Sequence, residues 1–309
     1  MADFTLGHRK SLDGVRGLAI LFVLLCHSPS LPFGGGFIGV DLFFVLSGFL
    51  ITTLLLEEAR ETGGIRLRSF YARRGLRLLP ALMAMLLALI LLSAWADSPE
   101  AAAKTRTGAL MTLFYSANWF MAFRAYPCWE LLPTWSLSVE EQFYLVWPLV
   151  LLGLLKLKAS RAVLAAVAAA GLLGSAGWRA ILWKLSGSYD RVYFGADTHA
   201  DGLLAGSLAG ILVSSGLLKG TPALERGLNW AGHFTLGILF LFLYWGWAGD
   251  SYLLQAGLLV LNLAMTAMVV CMVASPGPLL RCFFEFPPLV WIGRISYGLY
   301  LWHMLIFGR

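Results

Sequence analysis

The fold class the sequence predicts is an all-α membrane protein, a polytopic bundle of about nine or ten transmembrane helices with room for a re-entrant segment. Composition gives the first reason: 59% of the 309 residues are hydrophobic and 13% charged, against about 25% charged in soluble domains, with a mean hydropathy of +0.76. Periodicity of length gives the second, because apolar runs near 20 residues, each enough for a hydrocarbon core of roughly 30 Å, recur along the whole chain with short connections. No soluble domain fits in the remainder, so residues 1–309 read as one transmembrane domain. A net charge of +6 and a pI of 9.3 do not indicate nucleic acid, since the basic residues sit beside apolar runs, where the positive-inside rule accounts for them. Cys26, Cys128, Cys271 and Cys282 show no CxxC or Cys/His metal spacing, so neither a disulfide framework nor a metal is expected.

The first span, Ser11 to Ser28, carries Asp13 and Arg16 at one end and His27 at the other. Eleven positions at about 100° each are three turns plus about 20°, which puts Arg16 and His27 on one face, roughly 16 Å apart. Ionisable groups in a membrane helix usually face a bundle interior or a watery cavity; the plainer alternative is that Arg16 snorkels and His27 sits at the opposite interface. His8, Arg9 and Lys10 before an apolar run imitate a signal peptide, but no small-residue cleavage site follows, so the span is expected to be uncleaved. Cys26 points about 100° away from His27 and reads as a structural thiol.

If the chain starts in the cytoplasm, Gly34, Gly35 and Gly36 turn outside and the second span, Phe37 to Leu56, returns. Ser47 and Gly48 there suit close helix contact. Asp41, near the outer face, needs a partner, for which Arg16 or His27 on the preceding helix is the expectation. The segment Glu57 to Pro80 holds six arginines, among them Arg73, Arg74 and Arg77, and so belongs in the cytoplasm. These could touch anionic head groups, or Arg74 and Arg77, three apart on a helix, could grip a phosphorylated donor.

A third span covers Leu78 to Trp95. The run Gly108 to Phe123 is short and broken by Asn118, and charge bias favours a re-entrant piece, because a full crossing would place Lys156, Lys158 and Arg161 outside. Trp135 to Leu155 opens a further span with Ser136 as N-cap and Glu140 and Glu141 in its first turns. The two glutamates either complement the helix dipole or answer a cation; on the re-entrant topology they lie at about the depth of His27, with Glu140 beside Tyr144 at i, i+4. An Ala-rich span runs to about Lys184, and an external loop, Leu185 to Thr198, leads to HADGLLAGSLAGIL. There His199 and Asp201 line an outer cavity or mark the interface, ahead of Gly202, Gly206 and Gly210 with small-xxx-small spacing. Asn229 to Trp247 and Leu253 to Val273 read as scaffold, with His233 interfacial. After the loop Ser275 to Pro288, the last run contains ISYGLYLWHML with His303 and stops at Arg309. Walker, GxSxG, HExxH and dinucleotide motifs are absent from the sequence.

Five blocks resemble the acyltransferase-3 family of integral membrane acyltransferases: LDGVRGLAILFVLLCH, GFIGVDLFFVLSGFLIT, FYARRGLRLLP, WSLSVEEQFY and ISYGLYLWH. They fall in the family's order from about residue 10 to the end. The resemblance implies acyl-CoA, acetyl-CoA above all, as co-substrate rather than any bound cofactor, docking from the cytoplasmic side near Arg73, Arg74 and Arg77. It implies delivery to a hydroxyl of a surface or exported carbohydrate, with His27 as the catalytic histidine and Arg16 and Glu140 as supports. Asp13, Asp41, Glu141, Tyr144, His199, Asp201 and His303 are then supporting or acceptor-side residues. Localisation in a bacterial inner membrane follows from the same likeness. The chain departs from the family pattern at His199, where an arginine ordinarily precedes the aspartate, and in a last span shorter than the family's, which suggests a compact member or a trimmed end.

The residues suit that chemistry. O-acylation needs a base to take the hydroxyl proton as oxygen attacks a thioester, and neutral histidine serves; a carboxylate such as Glu140 could fix its tautomer. His27 as a transient acyl carrier is the alternative, and Arg16 could stabilise developing oxyanion charge. Two rival readings are a proton-coupled transporter using Arg16, His27 and Asp41 without covalent chemistry, and acylation of a small metabolite such as a macrolide.

Overall fold

The computed structural model describes residues 5–31, 33–216, 221–274 and 276–307. Through these run fifteen α-helices. The first half holds α1 (Lys10–His27), α2 (Ile38–Thr62), α3 (Leu67–Ala96), α4 (Pro99–Leu113), α5 (Ala117–Ala122), α6 (Thr134–Lys156) and α7 (Arg161–Ser186). Then follow α8 (Tyr189–Phe194), α9 (Ala196–His199), α10 (Asp201–Ser214), α11 (Pro222–Trp245), α12 (Leu258–Ala274), α13 (Pro278–Phe284), α14 (Pro287–Arg294) and α15 (Ser296–Phe307). There is no strand among the described residues. The expected boundary at Ser275 and the chain end at Arg309 lie outside them.

Among the described residues, six helical stretches are long and apolar enough to cross a membrane: Gly34–Thr62, Leu67–Ala96, Trp129–Lys156, Arg161–Ser186, Pro222–Trp245 and Leu253–Ala274. The expected nine or ten are not reproduced, for reasons visible in the chain. Lys10, Asp13 and Arg16 crowd the 18 residues of α1. The glycine-rich α10 has only 14 residues, and the final apolar stretch is divided into α13, α14 and α15. The arginine-rich segment is also not a separate loop: α3 begins at Leu67 and carries Arg73, Arg74 and Arg77 on its first turns, with Pro80 inside the helix. Neighbouring helices can re-satisfy the backbone group that such a proline frees.

The centre of the bundle is α2, packed on α10 through small residues. A Cβ at Gly206 would overlap the Val45 carbonyl and stand 2.8 Å from the Phe49 nitrogen, and one at Gly48 would overlap the Leu203 carbonyl. Helix association in lipid depends on such close packing, since burial from water offers no driving force there. α1 is pressed on α14 by the same device, with Gly293 against the Asp13 carbonyl.

The segment between α3 and α6 turns back on itself. Ser93 Oγ donates to Thr105 Oγ1 at 3.1 Å near the end of α3, whereas Thr112 and Thr134 hydroxyls pair at 3.0 Å where α6 begins. Gly108 on α4 lies against Pro127 of the returning strand of chain. Gln142 on α6 holds the tip, donating to the Tyr115 carbonyl at 2.7 Å and to Asn118 Oδ1 at 2.9 Å. Asn118, inside α5, is buried and also donates to the Phe194 carbonyl at 3.2 Å, so its amide is bonded on both sides. The chain thus doubles back between α3 and α6.

Candidate active site

Three residues at i, i+4 and i+7 of α15, Ser296, Tyr300 and His303, share one face, and the first and last of them meet groups that the sequence placed on a functional surface. Arg16 donates to Ser296 Oγ at 3.2 Å and to the Gly293 carbonyl at 3.4 Å. His303 faces His27, with ring centres 5.0 Å apart. Arg16 and His27 thus do share a face of α1, and α15 is what it looks onto. Between them, Tyr300 Oη lies 2.5 Å from Ser136 Oγ and donates to the Pro133 carbonyl at 2.9 Å.

A cavity of about 610 Å³ leads to this point from the arginine-rich end. Its mouth holds Arg66 and Arg73, 67% and 65% exposed at the side chain, together with Arg77; its inner end is closed by buried Ser136 and Tyr300 and by Phe43. Phe43 and Tyr300 meet edge to face at 6.3 Å. Arg16, Glu140, Glu141 and Tyr144 line the wall, and His27 stands beyond the closed end, behind Tyr300 and His303.

The expected acyl-CoA arginines all line the cavity, in different states. Arg74 is already engaged: its Nε and Nη2 donate to Glu141 Oε1 at 2.9 and 2.7 Å, and its guanidinium lies 3.1 Å from the centre of the Tyr144 ring. Arg73 stands 3.8 Å from Glu58. Arg77 has no ion-pair partner among the described residues. Glu140 accepts from Tyr144 Oη at 2.5 Å, the expected i, i+4 contact, and from Ser47 Oγ. Neither glutamate is bonded to His27 among the described residues, so the expectation that Glu140 fixes the His27 tautomer is corrected. The backbone does this instead: His27 Nδ1 lies 2.9 Å from the Val23 carbonyl. A carbonyl only accepts, so Nδ1 carries the proton and Nε2 presents the lone pair.

Three further expectations change. Ser136 is not the N-cap, because α6 begins one turn earlier, after Pro133; its hydroxyl serves Tyr300 and the Pro133 carbonyl. Asp41 pairs with neither Arg16 nor His27 but with His199 Nε2 at 3.0 Å, both fully buried. Its face of α2 is turned to α9 and α10 rather than to α1. Asp13 binds His8 at 2.9 Å and Arg294 at 3.3 Å at the arginine-rich end, remote from His27.

Asp201 belongs to the same buried polar layer as His199. Arg179, on the Ala-rich α7, donates to both its oxygens at 2.8 Å and also to the carbonyls of Thr198 at 2.8 Å and Leu254 at 3.2 Å. An arginine thus does face Asp201, from another helix instead of from the adjacent sequence. Arg179 escaped sequence reasoning, although a guanidinium well inside an apolar span is itself a signal. Nearby, outside the spans, Arg191 pairs with Asp197 at 2.6 Å. Desolvation pushes the Asp197 carboxyl up, but hydrogen bonds from Arg191 and Trp178 hold it below the ordinary carboxylate value.

Comparison with known proteins identifies the family. A family model described as an acyltransferase domain matches residues 9–308. The chain is 38% identical over 305 residues to a protein named peptidoglycan O-acetyltransferase OatA of Listeria monocytogenes, covering 95% of this chain and 48% of that one. It is 35% identical over 304 residues to the putative peptidoglycan O-acetyltransferase YrhL of Bacillus subtilis (94% and 47%), and 32% identical over 314 residues to a putative O-acetyltransferase of Staphylococcus aureus (97% and 50%). The chain spans about half the length of the curated relatives it matches. No solved structure matches.

Proposed function

This chain belongs to the acyltransferase family, and on that premise we propose that it acetylates hydroxyl groups of cell-wall carbohydrate, using acetyl-CoA taken up at its arginine-rich end. One observation carries the reading: a single cavity joins a cationic mouth to the Tyr300–Ser136 pair, immediately before the His27–His303 pair. A basic, exposed mouth suits the phosphates of CoA, which Arg77 is free to grip, with Arg73 beside it at 3.8 Å from Glu58, while Arg74 holds the wall through Glu141 and Tyr144. Apolar side chains such as Phe43, Leu50 and Leu54 line the path for the pantetheine arm. The acceptor approaches from the other end.

In the transfer, His27 Nε2 takes the acceptor hydroxyl proton while the oxygen attacks the thioester carbonyl. The tetrahedral intermediate collapses, the C–S bond breaks, and the CoA thiolate leaves and receives the proton. Arg16 lies on the cavity wall with Ser296, held by the Gly293 carbonyl, and supplies positive charge along the route of the thioester. Glu140 acts on the wall, aligning Ser47 and Tyr144. The arginine-rich end faces the cytoplasm in this scheme, consistent with the positive-inside rule. Relatives named for peptidoglycan make that polymer the acceptor to test first.

Membrane vesicles bearing the chain, given radiolabelled acetyl-CoA and peptidoglycan fragments, are expected to yield labelled O-acetyl sugar. Movement of sugar without label transfer would replace the enzyme by a transporter, and label appearing only on added small hydroxylated metabolites would replace the acceptor.

A further inference from the structure

The role of His303 is not accounted for by the transfer scheme above. Its Nδ1 lies 2.7 Å from the Tyr300 carbonyl, so that nitrogen carries the proton and Nε2 presents a lone pair. The residue is 2% exposed, and Nε2 has no hydrogen-bond partner among the described residues. A buried acceptor left unpaired is destabilising and asks for an explanation. The neighbour it faces is the His27 ring, centre to centre 5.0 Å and inclined by 55°. The candidate partners named from the sequence are committed elsewhere: the adjacent Cys26 thiol donates to the Gly34 carbonyl, Glu140 is held by Ser47 and Tyr144, and Arg16 is fixed at the far end of the same face.

Both imidazoles thus have the same tautomer, each locked by a backbone carbonyl, and each with Nε2 open. α15 is in turn anchored at Ser296 and Tyr300, so His303 has little freedom to turn away. We propose that His303 is a positioning residue for His27, whose Nε2 lone pair accepts a hydrogen bond from His27 Nε2–H once His27 has taken the acceptor proton. The inference rests on the acyl-transfer reading for its purpose, though not for its geometry. The balance is simple: the acceptor O–H bond breaks, its proton passes to His27 Nε2 and is held between the two nitrogens, and it is released to the thiolate when the C–S bond has broken. No oxidant or second substrate enters. The pairing holds the proton between addition of the acceptor oxygen and departure of the thiolate.

Two measurements on the full chain in lipid nanodiscs test this. The first needs no turnover: with 15N-labelled histidine, acidification is expected to produce a through-hydrogen-bond 15N–15N coupling that links His27 and His303 and disappears in His303→Gln. The second is kinetic. His303→Phe is expected to lower kcat for acetyl transfer about 30-fold with an unchanged KM for acetyl-CoA, while His303→Gln, whose carbonyl can still accept, stays within about fivefold of the wild type. A wild-type protein with no coupling at any pH, or a His303→Phe protein with normal kcat, overturns the proposal. If the wild type transfers no acetyl group but the coupling is present, the acyl-transfer reading fails and the histidine pair stands.

Discussion

Arg74 and Glu141, 67 residues apart in the chain, are joined by two hydrogen bonds from the guanidinium to a single carboxylate oxygen, at 2.9 and 2.7 Å, with Tyr144 stacked beneath. Both side chains are about one-fifth exposed, 20% and 18%. This contact ties α3 to α6 across the cavity and separates two roles that the sequence assigned together to Arg74 and Arg77.

Arg74→Ala is therefore expected to lower the thermal unfolding temperature as well as activity, because it strands a largely buried carboxylate. Arg77→Ala leaves that temperature near the wild type and raises KM for acetyl-CoA about tenfold, the equivalent of about 1.4 kcal/mol. Steady-state kinetics beside thermal unfolding in detergent distinguish the two. Equal KM effects with equal stability would mean that the Glu141 contact is incidental.

The Arg179–Asp201 pair is fully buried. Arg179→Met leaves Asp201 as an uncompensated buried charge and is expected to cost about 3–5 kcal/mol, seen as poor yield and early unfolding. The double variant Arg179→Met, Asp201→Leu should recover most of that loss, since an apolar pair of similar volume carries no desolvation penalty. Recovery of stability without recovery of activity would show that the charge also serves the acceptor end.

Close packing of α2 on α10 makes its own forecast. Gly206→Ala drives a methyl into the Val45 carbonyl and is expected to destabilise by about 1–3 kcal/mol through overpacking. Gly174→Ala on α7, where nothing lies within 4 Å of the added carbon, should be neutral or slightly stabilising. Thermal unfolding of both variants compares them directly.

Much of this site could be read from spacing alone. The shared face of Arg16 and His27 and the i, i+4 contact of Glu140 with Tyr144 follow from helix geometry. What escaped was everything set by which helix lies against which. Asp41 could be given a partner on α1 because α1 precedes it, yet the glycines of α10 draw the Asp41 face toward His199. Arg179 reaches Asp201 from a helix whose Ala-rich sequence gave no reason to pair the two. His27 finds a backbone carbonyl and a second histidine rather than a carboxylate, and the i, i+4, i+7 face of α15 that brings His303 there was present in ISYGLYLWH.

The central claim is that His27, just beyond the inner end of a cavity with a cationic mouth, removes the acceptor proton. Its most direct test is the acetyl-transfer rate of His27→Ala in vesicles, with unfolding temperature and acetyl-CoA binding checked alongside. A fall in kcat of at least about 100-fold, with folding and donor binding unchanged, is the predicted result; turnover within a few-fold of the wild type would contradict it.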